Sequence, residues 1–423
     1  MATDHTLPPS SSSGQKMQTV LKYIRSGEAP KLPPPSSVSG PVAWIRKNML
    51  SGPLNIALTL ISIYIIYLIV PSMIKFFIID AVWTGSDRDV CLPEKVGRPV
   101  GACWAYVFDR VNYFIYGSYP VEHRWRVNLS FALFAFGVVW MLWLQPKKPI
   151  PANATEEQKQ DITRENNAIR FLIPYRGFGA LYFFVLMPIT VYYLLTGASS
   201  VGLEPVTTSL WGGIMVTLVV ASVGIVFSLP FGVLLALGRR SKMRAVRIFS
   251  IAFIEFVRGV PLITVLFMAN TMLPFFLPEG VTIDRLLRAL VGVAMFASAY
   301  MAEIVRGGLQ AMPKGQFEGA MSLGLGYWQM MRLIILPQAL KIVIPGVVNT
   351  FVALFKDTTL VFIVGLFDLL KTVEATLVDP TWATPTTRNS GYAFAAIFYF
   401  ICCWGMSRYS LAIEKRLATG HKR

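Results

Sequence analysis

The chain is poor in charge. Only 15% of its 423 residues are Asp, Glu, Lys or Arg, against 54% hydrophobic, and the mean hydropathy is +0.54. An ordinary soluble domain carries about 25% charged residues, so that class is excluded. Histidine is scarcer still. His5, His123 and His421 lie near the termini or in a polar loop, where they cannot form a buried catalytic set. Four cysteines are present, and no Cys/His group has zinc spacing, so no metal site is expected. There is no G-x4-G-K-[ST], and the chain is not expected to bind ATP itself. H-E-x-x-H and G-x-S-x-G are missing too, which removes zinc-protease and α/β-hydrolase chemistry. The formal charge of +16 is not matched by an aromatic-plus-basic nucleic-acid module, so no nucleic-acid partner is expected.

What is present is a series of long apolar runs. A helix crosses a bilayer in about 20 apolar residues. The runs suggest about eight spans, at 54–74, 128–144, 178–195, 211–237, 249–273, 286–304, 339–354 and 392–409. Basic residues flank them on one side: Arg46 and Lys47, the GRRSKMR segment from Gly238, and Lys415 and Arg416. Cytoplasmic loops carry such an excess, which places both termini in the cytoplasm. Residues 1–45 are rich in Ser, Pro and Gly and read as disordered. The stretch 360–378 is nearly long enough to span. Asp368, Lys371 and Glu374 would then lie in or near the bilayer, so a re-entrant or outer-face element is expected instead. The fold class is an all-α polytopic membrane protein. Its first three spans, within 46–200, form an added unit with an outer loop at 75–127, and 201–423 forms a five-span core. Cys91 and Cys103 lie in the outer loop. In an oxidising compartment they could form a disulfide; two unpaired thiols are the alternative.

The loop 311–337, between spans six and seven, holds the most distinctive stretch, EGAMSLGLGYWQMMRLIILP from Glu318 to Pro337. It reads as a short helix with Glu318 in an early turn. Ala320 and Gly324 are four apart and share a face. Gly324 and Gly326 suit a helix-ending turn at positive φ. Pro337 fits the first turn of a new helix. The bare small-residue face is a candidate plug for a partner's groove.

This stretch resembles the E-A-A-x3-G-x9-I-x-L-P signature of permease subunits of bacterial ABC importers. Glu318, Ala320, Gly324, Ile334, Leu336 and Pro337 fall at its positions, with Gly319 replacing the first alanine. FVRGVPL from Phe256, AEIVRGGL from Ala302 and GQFEGAMSLG from Gly315 resemble segments of the histidine/glutamine permease subfamily. KDTTL from Lys356 does so with Thr359 in place of serine. The eight-span layout is similar to the larger permease of general L-amino acid importers. The resemblance implies a type I importer core whose 311–337 loop couples to a homodimeric ABC ATPase, which holds ATP and Mg; no cofactor is implied for this chain. It also implies a second, related permease completing a heterodimeric pore. A periplasmic binding protein would deliver polar L-amino acids to it, at the bacterial inner membrane.

Polar groups inside spans mark the candidate pathway. Arg258 stands about 13 Å into span five, near mid-bilayer, where a charge needs an interior partner. Glu255, three residues earlier, and Glu303 in span six are the candidates. The pair either fixes helix packing or serves as a gate or counter-ion to solute. Gly259 and Pro261 loosen the helix beside it. Lys356 and Asp357 read as a helix-end ion pair, and the resemblance places Thr358 and Thr359 beside the pore. Tyr300 and Asn270 are further polar positions within spans, suited to packing hydrogen bonds or a pathway lining. The competing function is an ion-coupled secondary transporter or channel. That class is built on internal repeats with broken helices, and the three-span unit is not repeated in the C-terminal half.

Overall fold

The computed structural model describes residues 40–417 apart from 144–148, 152–153, 161, 164–180, 200–201, 279 and 281. The Ser- and Pro-rich segment up to residue 39, the start of the expected third span and the basic end beyond residue 417 lie outside the described residues. The chain forms two units, 1–72 and 73–423. The first contains α1 (Pro41–Asn48), closed by Arg46 and Lys47, and most of α2 (Pro53–Ile74). Apolar residues occupy every side of α2, the pattern of a helix solvated by lipid.

The second unit holds α3 (Trp104–Tyr116), α4 (Arg124–Trp143), α5 (Met187–Thr196), α6 (Gly213–Arg239), α7 (Arg244–Gly259) and α8 (Leu262–Thr271). It continues with α9 (Arg285–Gln310), α10 (Lys314–Ser322), α11 (Leu336–Asp357), β1 (Phe367–Asp368), α12 (Leu369–Thr376) and α13 (Pro385–Leu417). Among the described residues, five helices are long and apolar enough to cross a bilayer, or six if α7 and α8 count as one broken span. The expected count of about eight is not reached. The expected second span stands as α4, which opens on Arg124 and Arg126. The expected third is a π turn, Tyr182–Leu186, leading into the ten residues of α5.

The expected fifth span is corrected in shape. The bend that Gly259 and Pro261 suggest is a sharp break: α7 and α8 meet at 107°. Pro261 has no N–H to donate, and its ring drives the preceding residue out of the helical region. Val260 is accordingly extended, at φ −115° and ψ 135°, and Pro261 caps α8.

Close backbone approach builds the core. A Cβ on Gly232 of α6 would stand 2.6 Å from the Met301 Cβ of α9, and one on Gly308 of α9 would stand 2.7 Å from the Ala339 carbonyl oxygen of α11. Small residues at such crossings let helices pack without a hydrophobic drive from water. The stretch after α11 does not span. A 3₁₀ turn, Thr358–Val364, leads through Gly365 to β1 and α12. This element sits on the start of α6. The Gly213 N–H donates to Thr372 Oγ1 at 3.0 Å, and the Leu369 N–H to Thr217 Oγ1 at 3.0 Å. Buried Asp368 accepts from the Leu370 and Lys371 N–H groups at 3.0 and 3.1 Å and from the Tyr399 hydroxyl at 3.2 Å.

The segment before α4 packs on the same end. Cys91 and Cys103 are disulfide-bonded, with their Cα atoms 5.8 Å apart. The Cys103 N–H donates to Ser390 Oγ at 2.7 Å, and Trp382 Nε1–H to Asp109 Oδ2 at 2.8 Å. Arg110 pairs with Asp379 at 2.6 Å. Burial pushes the Tyr106 hydroxyl up to about 12, and it shares a 2.5 Å hydrogen bond with Thr376. These links join residues 103–110 to residues 376–390 within the second unit. Replacing Cys91 by Ser frees the short loop in the unfolded chain. The expected cost is about 3 kcal/mol. It is read as a lower melting temperature in detergent, with the same loss produced in the parent chain by reductant.

Candidate functional site

The end opposite the disulfide carries the basic segment after α6 and the loop around α10. Its main charged feature is a five-residue cluster. The Glu303 side chain is 15% exposed and lies among three arginines. Arg239 Nη1 donates to Glu303 Oε1 at 2.9 Å and to Glu255 Oε1 at 2.8 Å. Arg306 makes a forked contact, Nε to Oε2 at 3.0 Å and Nη2 to Oε2 at 2.7 Å. Arg258 Nη1 is 3.6 Å from Glu303 Oε2, and its guanidinium lies 5.5 Å from the Tyr300 ring centre. The cluster therefore ties α6, α7 and α9 together where Gly259 and Pro261 set the elbow.

Two expectations change here. Glu255 does not pair with Arg258 three residues on; its partner is Arg239 from α6. Arg258 meets Glu303, the other candidate partner, but near the helix ends rather than at mid-span. It sits at the level where Arg239 ends α6 and Arg306 nears the end of α9. The reason is the same break: α7 starts at Arg244 and stops at Gly259, so distance along a presumed straight span misplaces its end.

The loop also differs in detail. α10 spans Lys314–Ser322, which puts Glu318 in its middle, exposed, with Gly319 beside it facing open space. Ala320 is not part of a bare face. It is 1% exposed and packs into the chain's own core with Leu309, Met330 and Ile335. Gly324 lies beyond the helix end at φ 70°, the left-handed turn expected of it, with nothing near its missing Cβ. Gly326 has φ −66° and instead caps the next helix. Pro337 lies in the first turn of α11, as expected, but α11 is not preceded by a loop. Tyr327–Val364 is one continuous run of 38 residues, and a π turn, Met331–Ile335, precedes the proline. The wider π turn makes room where a proline ring would otherwise crowd the carbonyl four residues back. Ile334 is half-buried in that turn.

Arg240, which drew no notice in the sequence beyond its positive charge, clamps this loop. Its Nη1 donates to the Leu309 carbonyl at 3.0 Å, and its guanidinium lies 5.6 Å from the Phe317 ring centre in α10. Gln338 Nε2 adds a 2.9 Å bond to Gln316 Oε1. Lys356, Asp357 and Thr358 are not part of this constellation. They lie at the far end of α11, about 29 Å along the helix from Pro337. Thr358 is buried and donates to the Phe355 carbonyl at 2.8 Å. Asn270 accepts through its backbone oxygen from Arg288.

A bundle of spanning helices that presents one short loop helix at its basic end has the architecture of a membrane permease. The family described as binding-protein-dependent transport system inner membrane component matches residues 228–419. The inner membrane amino-acid ABC transporter permease protein YhdY of Escherichia coli is 46% identical over 391 residues, 92% of this chain and 97% of that protein. The glutamate/glutamine/aspartate/asparagine transport system permease protein BztC of Rhodobacter capsulatus is 38% identical over 450 residues, covering 95% and 99%. A crystal structure of an amino acid ABC transporter with histidines aligns at 29% identity over 48% of this chain and 92% of that one, with TM-score 0.42. The chain belongs to the family of amino-acid ABC transporter permeases. It is an inner membrane transport subunit with a type I permease core, of a family that works with an ATPase and a binding protein.

Proposed function

We propose that this chain forms half of an ATP-driven import pore for polar L-amino acids. A related permease completes the pore, and the end carrying Arg239 and α10 faces the cytoplasm. ATP and Mg are held by a separate homodimeric ATPase. α10 docks into that ATPase, and its closure moves the loop through Arg240, which grips both Phe317 and the end of α9. The binding protein engages the disulfide end, where residues 80–127 and 367–391 form one layer. In this reading Glu318, Gly319, Ala320 and Gly324 position the docking helix, with Ile334 and Pro337 seating it on α11. Arg258, Glu255 and Glu303, at the Gly259–Pro261 elbow, set the inner gate, while Lys356, Asp357 and Thr358 border the outer end of the path. The division into an N-terminal addition and a permease core is retained as a difference of role, not as two packed bodies.

The observation that carries this proposal is α10 itself. Ala320 anchors it to the chain's own core while Glu318 stays exposed. The test is Glu318→Lys, which reverses charge on the free face without touching the core. Uptake of radiolabelled glutamate is expected to fall more than about tenfold at unchanged membrane abundance, a loss of roughly 1.4 kcal/mol or more of coupling. Tagged wild type should retain an ATPase and a second permease through purification in mild detergent, and the variant should lose the ATPase. Unchanged uptake with the ATPase still bound would sink the docking role. Solute movement by the purified chain alone, under an ion gradient, would favour the secondary-transporter class.

A further inference from the structure

The second unit encloses a cavity of about 1010 Å³ between α4 and α5 on one side and α6 and α9 on the other. It is not placed around the charge cluster. Its walls are apolar: Phe131 and Phe134 from α4, Val191 from α5, Val219 and Val223 from α6, Leu290 from α9. Along α6 the lining runs from Met215 to Phe227, roughly 18 Å of helix, which exceeds half of a hydrocarbon core about 30 Å thick. The charged residues and most of the polar ones lie at the disulfide end, Thr207, Thr208, Ser209, Asp284 and Arg285 among them, while Ser130 and Ser222 lie deeper. A slot with a charged mouth and a deep apolar body does not suit a small zwitterion. Small-molecule pockets of about 300–1,000 Å³ hold whole drug-sized ligands, and a free amino acid would leave most of this one empty.

The mouth has unused hydrogen-bond donors. Arg285 is exposed and forms no hydrogen bond or ion pair among the described residues. Its neighbour Asp284 is already engaged, accepting from the Leu286 and Leu287 N–H groups at 2.9 and 3.2 Å and from Thr208 at 2.5 Å. No ion pair joins Asp284 to Arg285 among the described residues. Trp211, 5% exposed in the cavity wall, has an indole Nε1–H with no acceptor, and Arg288 Nε, also at the cavity, has none. Buried donors are seldom left unpaired, and each costs about 1–3 kcal/mol when it is.

We propose that this cavity is a binding site for one phospholipid of the leaflet at the disulfide end. Its phosphate meets Arg285, its ester oxygens supply acceptors for the mouth, and its tails fill the slot between α4–α5 and the core. A guanidinium is well matched to a phosphate, which it can engage through two parallel N–H donors. The occupant is a lipid rather than a protein segment because the slot lies at bilayer depth and Arg285, the one cation among the described lining residues that makes no hydrogen bond or ion pair, stands where a headgroup would. The proposal rests on the membrane reading of the chain and not on ATPase coupling, so glutamate uptake and lipid labelling can fail separately.

The test uses the whole transporter in liposomes of phosphatidylethanolamine and phosphatidylglycerol, doped with a phosphatidylglycerol bearing a diazirine in one tail. Label is expected in peptides covering 127–138 and 215–227. Ser222→Trp fills the slot and should lower that label at least about tenfold, with label at Phe400, 67% exposed on α13, as the unchanged reference. Arg285→Gln, at an exposed position, should lower it about tenfold at limiting probe, as loss of one charge-assisted bond requires. Label that survives both substitutions overturns the proposal. So does label removed by millimolar glutamate, which would make the cavity a solute site, or by millimolar inorganic phosphate, which would make it an anion site.

Discussion

Replacing Glu303 by Gln is expected to destabilise the protein by about 1.5–3 kcal/mol and to abolish transport. The substitution keeps the side chain's size and removes one charge. That charge is the shared counter-ion of Arg239, Arg306 and Arg258. Taking one partner from this partly buried ion cluster leaves three arginines close together with less compensation, which costs more than the pairing itself gains. Glu255→Gln is the control. Its side chain is 55% exposed, and a surface pair is worth about 0–1 kcal/mol. The measurement is the thermal midpoint of both variants in one detergent, alongside glutamate uptake. Equal midpoints would show that Glu303 does not hold the neighbouring ends of α6, α7 and α9 together. A double variant, Glu303→Gln with Arg306→Gln, should recover part of the loss, since it removes a charge that the single variant strands.

Gly213→Ala carries the second large effect. Gly213 opens α6 with φ +65°, a conformation that costs an L side chain about 1–2 kcal/mol. An added Cβ would also stand 2.0 Å from the Phe114 carbonyl oxygen at the end of α3. Backbone cannot yield as a flexible side chain can, so the seam between α3 and α6 must open. The bridges from Gly212 and Gly213 to Phe367 and Asp368 run through the same point. The expected loss is on the order of 4 kcal/mol or more, and little folded protein should accumulate. Gly319→Ala is its counterpart. Gly319 is helical, with nothing within 4 Å of its missing Cβ. There alanine should be neutral or stabilising by up to about 1 kcal/mol. Matched expression and melting curves for the two alanine variants would refute the strained seam.

Much of the bundle could be read from apolar runs. α6, α9 and α13 stand where long hydrophobic stretches bounded by basic residues required them. What escaped was whatever depends on which side chain turns toward which. Spacing offered Glu255 to Arg258, but the nearer partner came from another helix. Arg239 and Arg240 stood in a basic cluster that read as an orientation signal, and counting charges cannot show that two of them turn inward. Ala320 was legible as small and helical, yet a small residue looks the same whether it awaits a partner or packs at home. The 107° elbow was signalled by Gly259 and Pro261 only as a weakness, because its angle is set by the packing of α8 against α9.

The hydrogen bond from Cys103 to Ser390 joins residues 287 apart. Chains emerge from the ribosome at about 5–20 residues per second, so the first partner waits roughly a quarter of a minute to a minute for the second. Trp382, Thr376 and Asp379 reach Asp109, Tyr106 and Arg110 only at the close of synthesis. Through that interval the early segment has its local disulfide as its main internal tie. A truncation that omits everything after α11 would therefore strand not the end of the protein but its beginning.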